Sequence, residues 1–125
     1  MSSSNAPSPP PSYTSTSRGE LRLSIILGQD DLWRHKPKYQ EIVRRARDAG
    51  LSGASVWRGV EGYGASSHIH TTRLLDLADG LPVLVIILDD PPRVRAFVEA
   101  IAELLTQATV TLEDVERVRV VEGPA

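Results

Sequence analysis

Between Arg58 and His70 the chain gathers a guanidinium, a carboxylate, glycines, two serine hydroxyls and two imidazoles. Glycine lets backbone amides approach an anion, and arginine holds a phosphate or carboxylate through two parallel hydrogen bonds, so the chemistry on offer is anion binding. Gly59-x-x-Gly62-x-Gly64 lacks the glycine order of a dinucleotide fold, and no Gly-Lys-Ser/Thr follows, which removes both of those phosphate motifs. As a motif this is unspecific, and a mobile loop whose glycines only permit bends is the plainer alternative. His68 and His70, two apart, put both imidazoles on one face of a strand and would supply two metal ligands, with Glu61 or Asp76 as a third. With three histidines and no cysteine in the chain, satisfied polar histidines are the simpler account. Ser66 and Ser67 beside His68 and Glu61 are local crowding rather than a triad assembled from distant segments, so no catalytic residue is assigned.

Trp33, Arg34, His35 and Lys36 form a second candidate, an aromatic and basic loop before a helix whose amino-terminal amides attract an anion. An aromatic ring and a cation together can stack on and neutralise a nucleotide. Equally, Trp33 plugs the edge of the core and Lys36 is merely solvated.

The elements that must position these residues follow from periodicity. Leu21, Leu23, Ile25 and Leu27 alternate with less apolar neighbours, a period of two that predicts a strand at 20–27, ended by Gly28. Pro37 suits a first helical position, and Tyr39, Ile42, Val43, Ala46 and Ala49 recur at threes and fours before Gly50, predicting a helix over 37–49. Residues 54–60, fenced by glycines, read as a second strand. Residues 69–78 alternate, and Asp79-Gly80 is a two-residue hairpin signal, which predicts a strand folding back onto a third strand at 81–88; a helix over 71–78 is the rival. Asp90 with Pro91 and Pro92 opens a helix over 91–107, and Val115, Val118, Val120 and Val121 mark a last strand at 113–121. The order βαββαβ, in two halves of nearly equal length, predicts an α+β, ferredoxin-like antiparallel sheet with two helices on one face. Residues 83–88 carry no polar alternation, so the third strand calls for cover on both faces. Two helices cover one face only, which points to self-association through the sheets unless arginine and lysine stems cover the other.

At 125 residues the chain suits one domain. Residues 2–17 hold seven Ser, four Pro and two Thr with no charge, so residues 1–18 are expected to be a disordered tail and 19–122 the domain. Absence of cysteine removes thiol chemistry and disulfides, and neither a signal sequence nor an apolar run near the roughly 20 residues of a membrane span is present. The expectation is a soluble cytoplasmic protein. A net charge of −2 argues against nucleic acid as a partner. Residues 18–73 carry ten basic and six acidic side chains, whereas 74–125 carry four and ten, so a small anion belongs with the first part.

Gly28, Lys36-Pro37, Tyr39, Ile42-Val43, Ala46-Arg47, Ala49-Gly50-Leu51, Gly53-Ala54, Arg58-Gly59, Gly62-Tyr63-Gly64, Ser66-Ser67, His70-Thr71, Arg73 and Asp79-Gly80-Leu81-Pro82 resemble an uncharacterised bacterial PII-like family, domain of unknown function number one hundred and ninety. The resemblance spans about 20–121, and RGVEGYGASSHIHTTRLLDL is its most specific run. It implies a PII-like trimer with sheets packed at the centre and clefts between subunits. It further implies a signalling protein that binds an adenine nucleotide or other small anion and acts on a transporter, channel or enzyme, in an ion-homeostasis setting beside fluoride exporters. Under it, Lys36, Arg58 and Arg73 neutralise the ligand while backbone amides around Gly59, Gly62 and Gly64 close over it; Trp33, His70, Arg117 and Arg119 are further candidates. No metal and no fixed cofactor are assigned. The chain departs from the family in several places, among them Lys38 where the resemblance implies an apolar residue and the added Ser/Pro tail. Gln107 to Thr111 lacks the glycine and lysine that wrap phosphates in signal-transducing PII proteins, Arg117-Val118-Arg119 matches their Arg-x-Arg pair only in type, and His35 stands where the resemblance implies glycine. A small ferredoxin-like oxygenase or isomerase, sensitive to loss of His70 or Tyr63, and a metal-binding trimer are the alternatives.

Overall fold

The computed structural model describes residues 7–63, 69–71 and 80–123. Strand β1 (Tyr13–Gly28) turns Leu21, Leu23, Ile25 and Leu27 to one face, where all four are buried. A hairpin of two-residue strands, β2 (Leu32–Trp33) and β3 (Lys36–Pro37), leads into helix α1 (Lys38–Asp48). Strand β4 (Ala54–Arg58), the short pair β5 (Glu61–Tyr63) and β6 (Ile69–Thr71), strand β7 (Pro82–Asp89), helix α2 (Pro91–Ala100), a 3-10 turn (Ala102–Leu104) and strand β8 (Thr109–Glu122) follow. The main sheet runs β4-β7-β1-β8 with every neighbour antiparallel, the ferredoxin-like α+β order that the periodicity predicts. Ile42 and Ala46 of α1 and Val94 and Phe97 of α2 pack on Leu23, Ile25, Val85 and Ile87, so both helices lie on one face.

On β7 the alternation is one of degree. Val83, Val85 and Ile87 are buried under the helices, while Leu84, Ile86 and Leu88 on the opposite face are half-buried. Ile26 and Trp57, in register with Leu84 on either side, are exposed, Trp57 to 60 %. Among the described residues no helix covers this outer face.

Several boundaries move. Strand β1 begins at Tyr13, inside the segment that composition assigns to a tail, because residues 13–20 pair with 115–122 of β8 after β7 has ended at Asp89. Tyr and Thr favour extended backbone, and a ladder needs no apolar stripe to form. Strand β8 accordingly runs from Thr109, with Val110 and Leu112 opposite Ile25 and Leu23. The second helix stops at Ala100 rather than 107, because Ile101 leaves helical geometry at φ −108 and ψ 18. The 3-10 turn then places Ile101 and Leu104, three apart, together in the core. Residues 69–71 pair with 61–63, not with the third strand; the rest of the predicted 69–78 strand lies outside the described residues. The β2/β3 hairpin was not predicted, since its two-residue turn is Arg34-His35, at φ 49 and 69, where such turns call for Asn-Gly.

Candidate functional site

Strand pairing brings several of the candidate residues to one end of the sheet. Gly28 at the end of β1 faces Pro82 at the start of β7, and Arg58 at the end of β4 faces Val83. The turn after β1 is tied down twice over: Asp31 Oδ2 accepts the Gly28 amide at 2.9 Å and the Asp31 carbonyl accepts the Lys38 amide at 2.7 Å. Asp30 Oδ2 accepts the Gly80 amide at 2.7 Å, and the Gln29 amide donates to the Leu81 carbonyl at 2.8 Å. The β2/β3 hairpin grows out of this collar and carries Trp33 and Lys36, so these two and Arg58 occupy elements that meet at the same end.

Trp33 takes the structural one of its two suggested roles, at the edge of the core. It is half-buried against the core, and the guanidinium carbons of Arg34 and Arg45 stand 4.6 and 4.8 Å from its ring centroid. Arg45 is already neutralised, because its Nε donates to Glu41 at 2.9 Å and its Nη1 to Glu103 at 3.0 Å. Glu41, buried in the first turn of α1, also accepts from Arg44, and hydrogen bonds from Arg44 and then Arg45 hold its carboxyl down to about 2 against the opposing effect of burial. Lys36 and Arg58 are exposed and form no ion pair among the described residues.

The glycines act differently from the expectation. A Cβ on Gly59 would stand 2.7 Å from Cγ of Pro82, and one on Gly62 at 3.1 Å, so both are glycine because the chain folds tightly over that ring. The Gly59 amide donates to the Pro82 carbonyl at 2.7 Å and is therefore not free to cap an anion. Gly64, His68 and Arg73 lie outside the described residues; the backbone of His70 is in β6, opposite Gly62.

Arg117 and Arg119 are not brought to this end. They face Arg18 and Thr16 across the β1/β8 ribbon. Ten residues of strand separate Arg18 from Gly28, about 33 Å of extended chain. There they line an open groove of about 660 Å³ with Thr16, Arg18 and Glu20. Glu20, its side chain 1 % exposed, accepts from Arg18 at 3.1 Å and Arg117 at 3.3 Å, and Arg18 also reaches Asp90 at 2.5 Å. Sequence reasoning missed this cluster because it placed Arg18 at the edge of a tail; the sign was Arg18 and Glu20, two apart on one strand face. Among the described residues no three His, Asp or Glu side chains gather where a cation would sit.

Comparison with known proteins supplies the remaining findings. Residues 20–117 match the DUF190 family, described as an uncharacterized ACR. Over 94 residues the chain is 37 % identical to a UPF0166 protein of Aquifex aeolicus (strain VF5), covering 75 % of this chain and 89 % of that one. Among solved structures it resembles CPII, a nitrogen regulatory PII-like protein from Thiomonas intermedia K12, bound to ADP, AMP and bicarbonate. That match has a TM-score of 0.64 at 15 % identity over 82 % of this chain and 91 % of that one. The apo form of CPII matches with a TM-score of 0.60 at 14 % identity, over 85 % and 99 %. At such identity the likeness shows a shared PII-like fold.

Proposed function

Because this chain belongs to the DUF190 family and has a PII-like fold, we propose that it is a PII-like regulatory protein, a non-catalytic homo-oligomer that binds a small anion of the adenine-nucleotide type in a cleft between subunits. The observation that carries this reading is the placement of Lys36 and Arg58, exposed and without ion pairs among the described residues, at the sheet end where β1, β4 and β7 meet. Arg58 and Lys36 neutralise the ligand, Arg73 adds charge, and amides around Gly62 and Gly64 close over it. Gly59 contributes its close fit on Pro82 instead of its amide. Arg117 and Arg119, remote within one chain, enter a cleft only if a neighbouring copy brings them. The half-covered outer face of β7 supports such assembly, since an exposed apolar sheet is a liability on a monomer. Ligand binding then changes affinity for a downstream transporter, channel or enzyme. CPII bound to ADP, AMP and bicarbonate supports the choice of ligands to try.

Thermal shift and calorimetry with ADP, AMP, bicarbonate, fluoride and divalent cations test the reading, since a ligand that prefers the native state raises its apparent stability. Saturable binding of ADP, with ADP recovered unchanged and affinity about tenfold or more lower in Arg58→Ala, is the expected result. No response to any adenine nucleotide removes that ligand class, and turnover of ADP removes the non-catalytic role.

A further inference from the structure

Arg34 and His35 are the two central residues of the β2/β3 turn, and both hold left-handed backbone, φ 49 and 69. Side chains other than glycine take that conformation only at a cost, and a turn of this shape is made without cost by Asn-Gly. Two consecutive strained residues persist only where the surroundings impose them, and such strain gathers at functional sites. The surroundings here are firm: β2 pairs with β3, the Lys38 amide is held by the Asp31 carbonyl, and Trp33 is anchored on the core.

Among the described residues the strained pair gains little. The Arg34 guanidinium lies over Trp33, which fixes its plane, yet it forms no ion pair among the described residues. His35 is exposed and forms neither a hydrogen bond nor an ion pair among them. Lys36 follows directly in β3, so the hairpin carries a planar guanidinium, an imidazole and an ammonium on three consecutive exposed residues. Of the carboxylates around the hairpin among the described residues, Asp30 and Asp31 at its root are engaged by the Gly80 and Gly28 amides, and Glu41 and Glu103 by Arg45. Three adjacent nitrogen donors on a rigid turn suit an oxyanion with at least two negative charges better than a single carboxylate, because each donor finds its own oxygen.

We propose that Arg34 and His35, with Lys36, form a preorganised contact for a polyphosphate-type oxyanion, and that the backbone strain of the turn is retained for this contact. The inference rests on the anion-binding reading above and extends it to two residues that reading does not use. The shared chemistry is a diphosphate, supplied by a nucleoside diphosphate or by inorganic pyrophosphate.

Calorimetric titration of the full-length protein with pyrophosphate and separately with ADP, alongside thermal melts, decides it. His35→Gly relieves strain and is expected to raise the Tm by about 3–6 °C while weakening pyrophosphate about threefold or more. Arg34→Ala is expected to weaken it about tenfold, and Arg34→Lys, which keeps the charge but loses the fixed plane, falls between. A more stable His35→Gly protein that binds both anions as the native one does overturns the proposal. So does a His35→Gly protein that is no more stable, since the turn is then unstrained. Pyrophosphate binding that depends on Arg34 and His35 without ADP binding upholds this contact and sinks the nucleotide reading. ADP binding lost in Arg58→Ala but kept in both hairpin variants does the reverse. A native protein that binds neither anion overturns both.

Discussion

Gly59 illustrates how a single residue is fixed by something far along the chain. An added Cβ would meet Pro82 Cγ at 2.7 Å and its carbonyl oxygen at 3.3 Å, and a proline ring at the start of a central strand cannot swing aside. Gly59→Ala should destabilise the protein by about 1–3 kcal/mol, the usual cost of overpacking. A combined Gly59→Ala, Pro82→Ala protein should recover part of that in denaturant melts, and strict additivity of the two changes counts against the close fit. In the sequence this glycine could be seen only as part of a flexible, anion-friendly run, because the ring it packs on lies 23 residues later and no local pattern reveals it. The positions of Lys36 and Arg58, by contrast, are legible, since one precedes a predicted helix and the other falls in a predicted strand. Glu41 carries a second prediction. Its carboxyl is held at about 2, below the ordinary 4.5, chiefly by hydrogen bonds from Arg44 and Arg45. A depressed carboxyl contributes stability that is complete above about pH 4.5 and is lost as pH falls towards 2. Glu41→Gln should flatten the fall of the urea midpoint across that window; an unchanged pH profile would show that the two arginines do little for folding.

At the scale of elements, period-two alternation made β1 readable, glycine fences marked β4, an unbroken apolar run marked β7 and valines among charges marked β8, while recurrence at threes and fours gave both helices. The β2/β3 hairpin, the β5/β6 pairing and the β1 half of the β1/β8 ribbon escaped these signals. The β2/β3 hairpin has strands too short for any period and a turn with the wrong residues, and the β1 half of the β1/β8 ribbon is built from Tyr, Ser and Thr that composition assigns to a tail. The ribbon matters because two strands alone are marginal in water, and its Tyr13, Val118 and Val120 are exposed to 62, 54 and 60 %. What fixes its root is Glu20, since Arg18 and Arg117 stand directly opposite each other and like charges in that position repel. Glu20→Ala should cost about 1–2 kcal/mol, less than the loss of a fully buried pair because both guanidiniums can turn to water. Hydrogen exchange should quicken at residues 14–18 and 116–121 while the amides of β7 stay protected. Uniform loss of protection would mean that Glu20 supports the whole sheet and not the ribbon alone.

The molecule as a whole has one face that a lone chain leaves unfinished. Both helices lie on the inner side, and the outer side of the sheet offers Ile26, Trp57, Leu84, Ile86 and Leu88 around a few polar groups. The sequence announced this through residues 83–88, a strand without polar alternation, but could not say what completes the cover, because the partner of an open face is written in no single chain. Ile86 is the most telling position, flanked in register by Ser24 on β1 and Ser55 on β4, at the middle of that face. An aspartate there faces water at little cost in a monomer, whereas between packed sheets it would be a buried, unpaired charge. Ile86→Asp should therefore fold with nearly native helix and strand content yet scatter light as single subunits at micromolar concentration, where the native protein scatters as an oligomer. If ligands bind between copies, the same variant should lose its thermal response to ADP even though Lys36 and Arg58 are intact. An Ile86→Asp protein that stays assembled, or native protein that is already monomeric, would leave the outer face open to solvent and detach the anion site from any shared cleft.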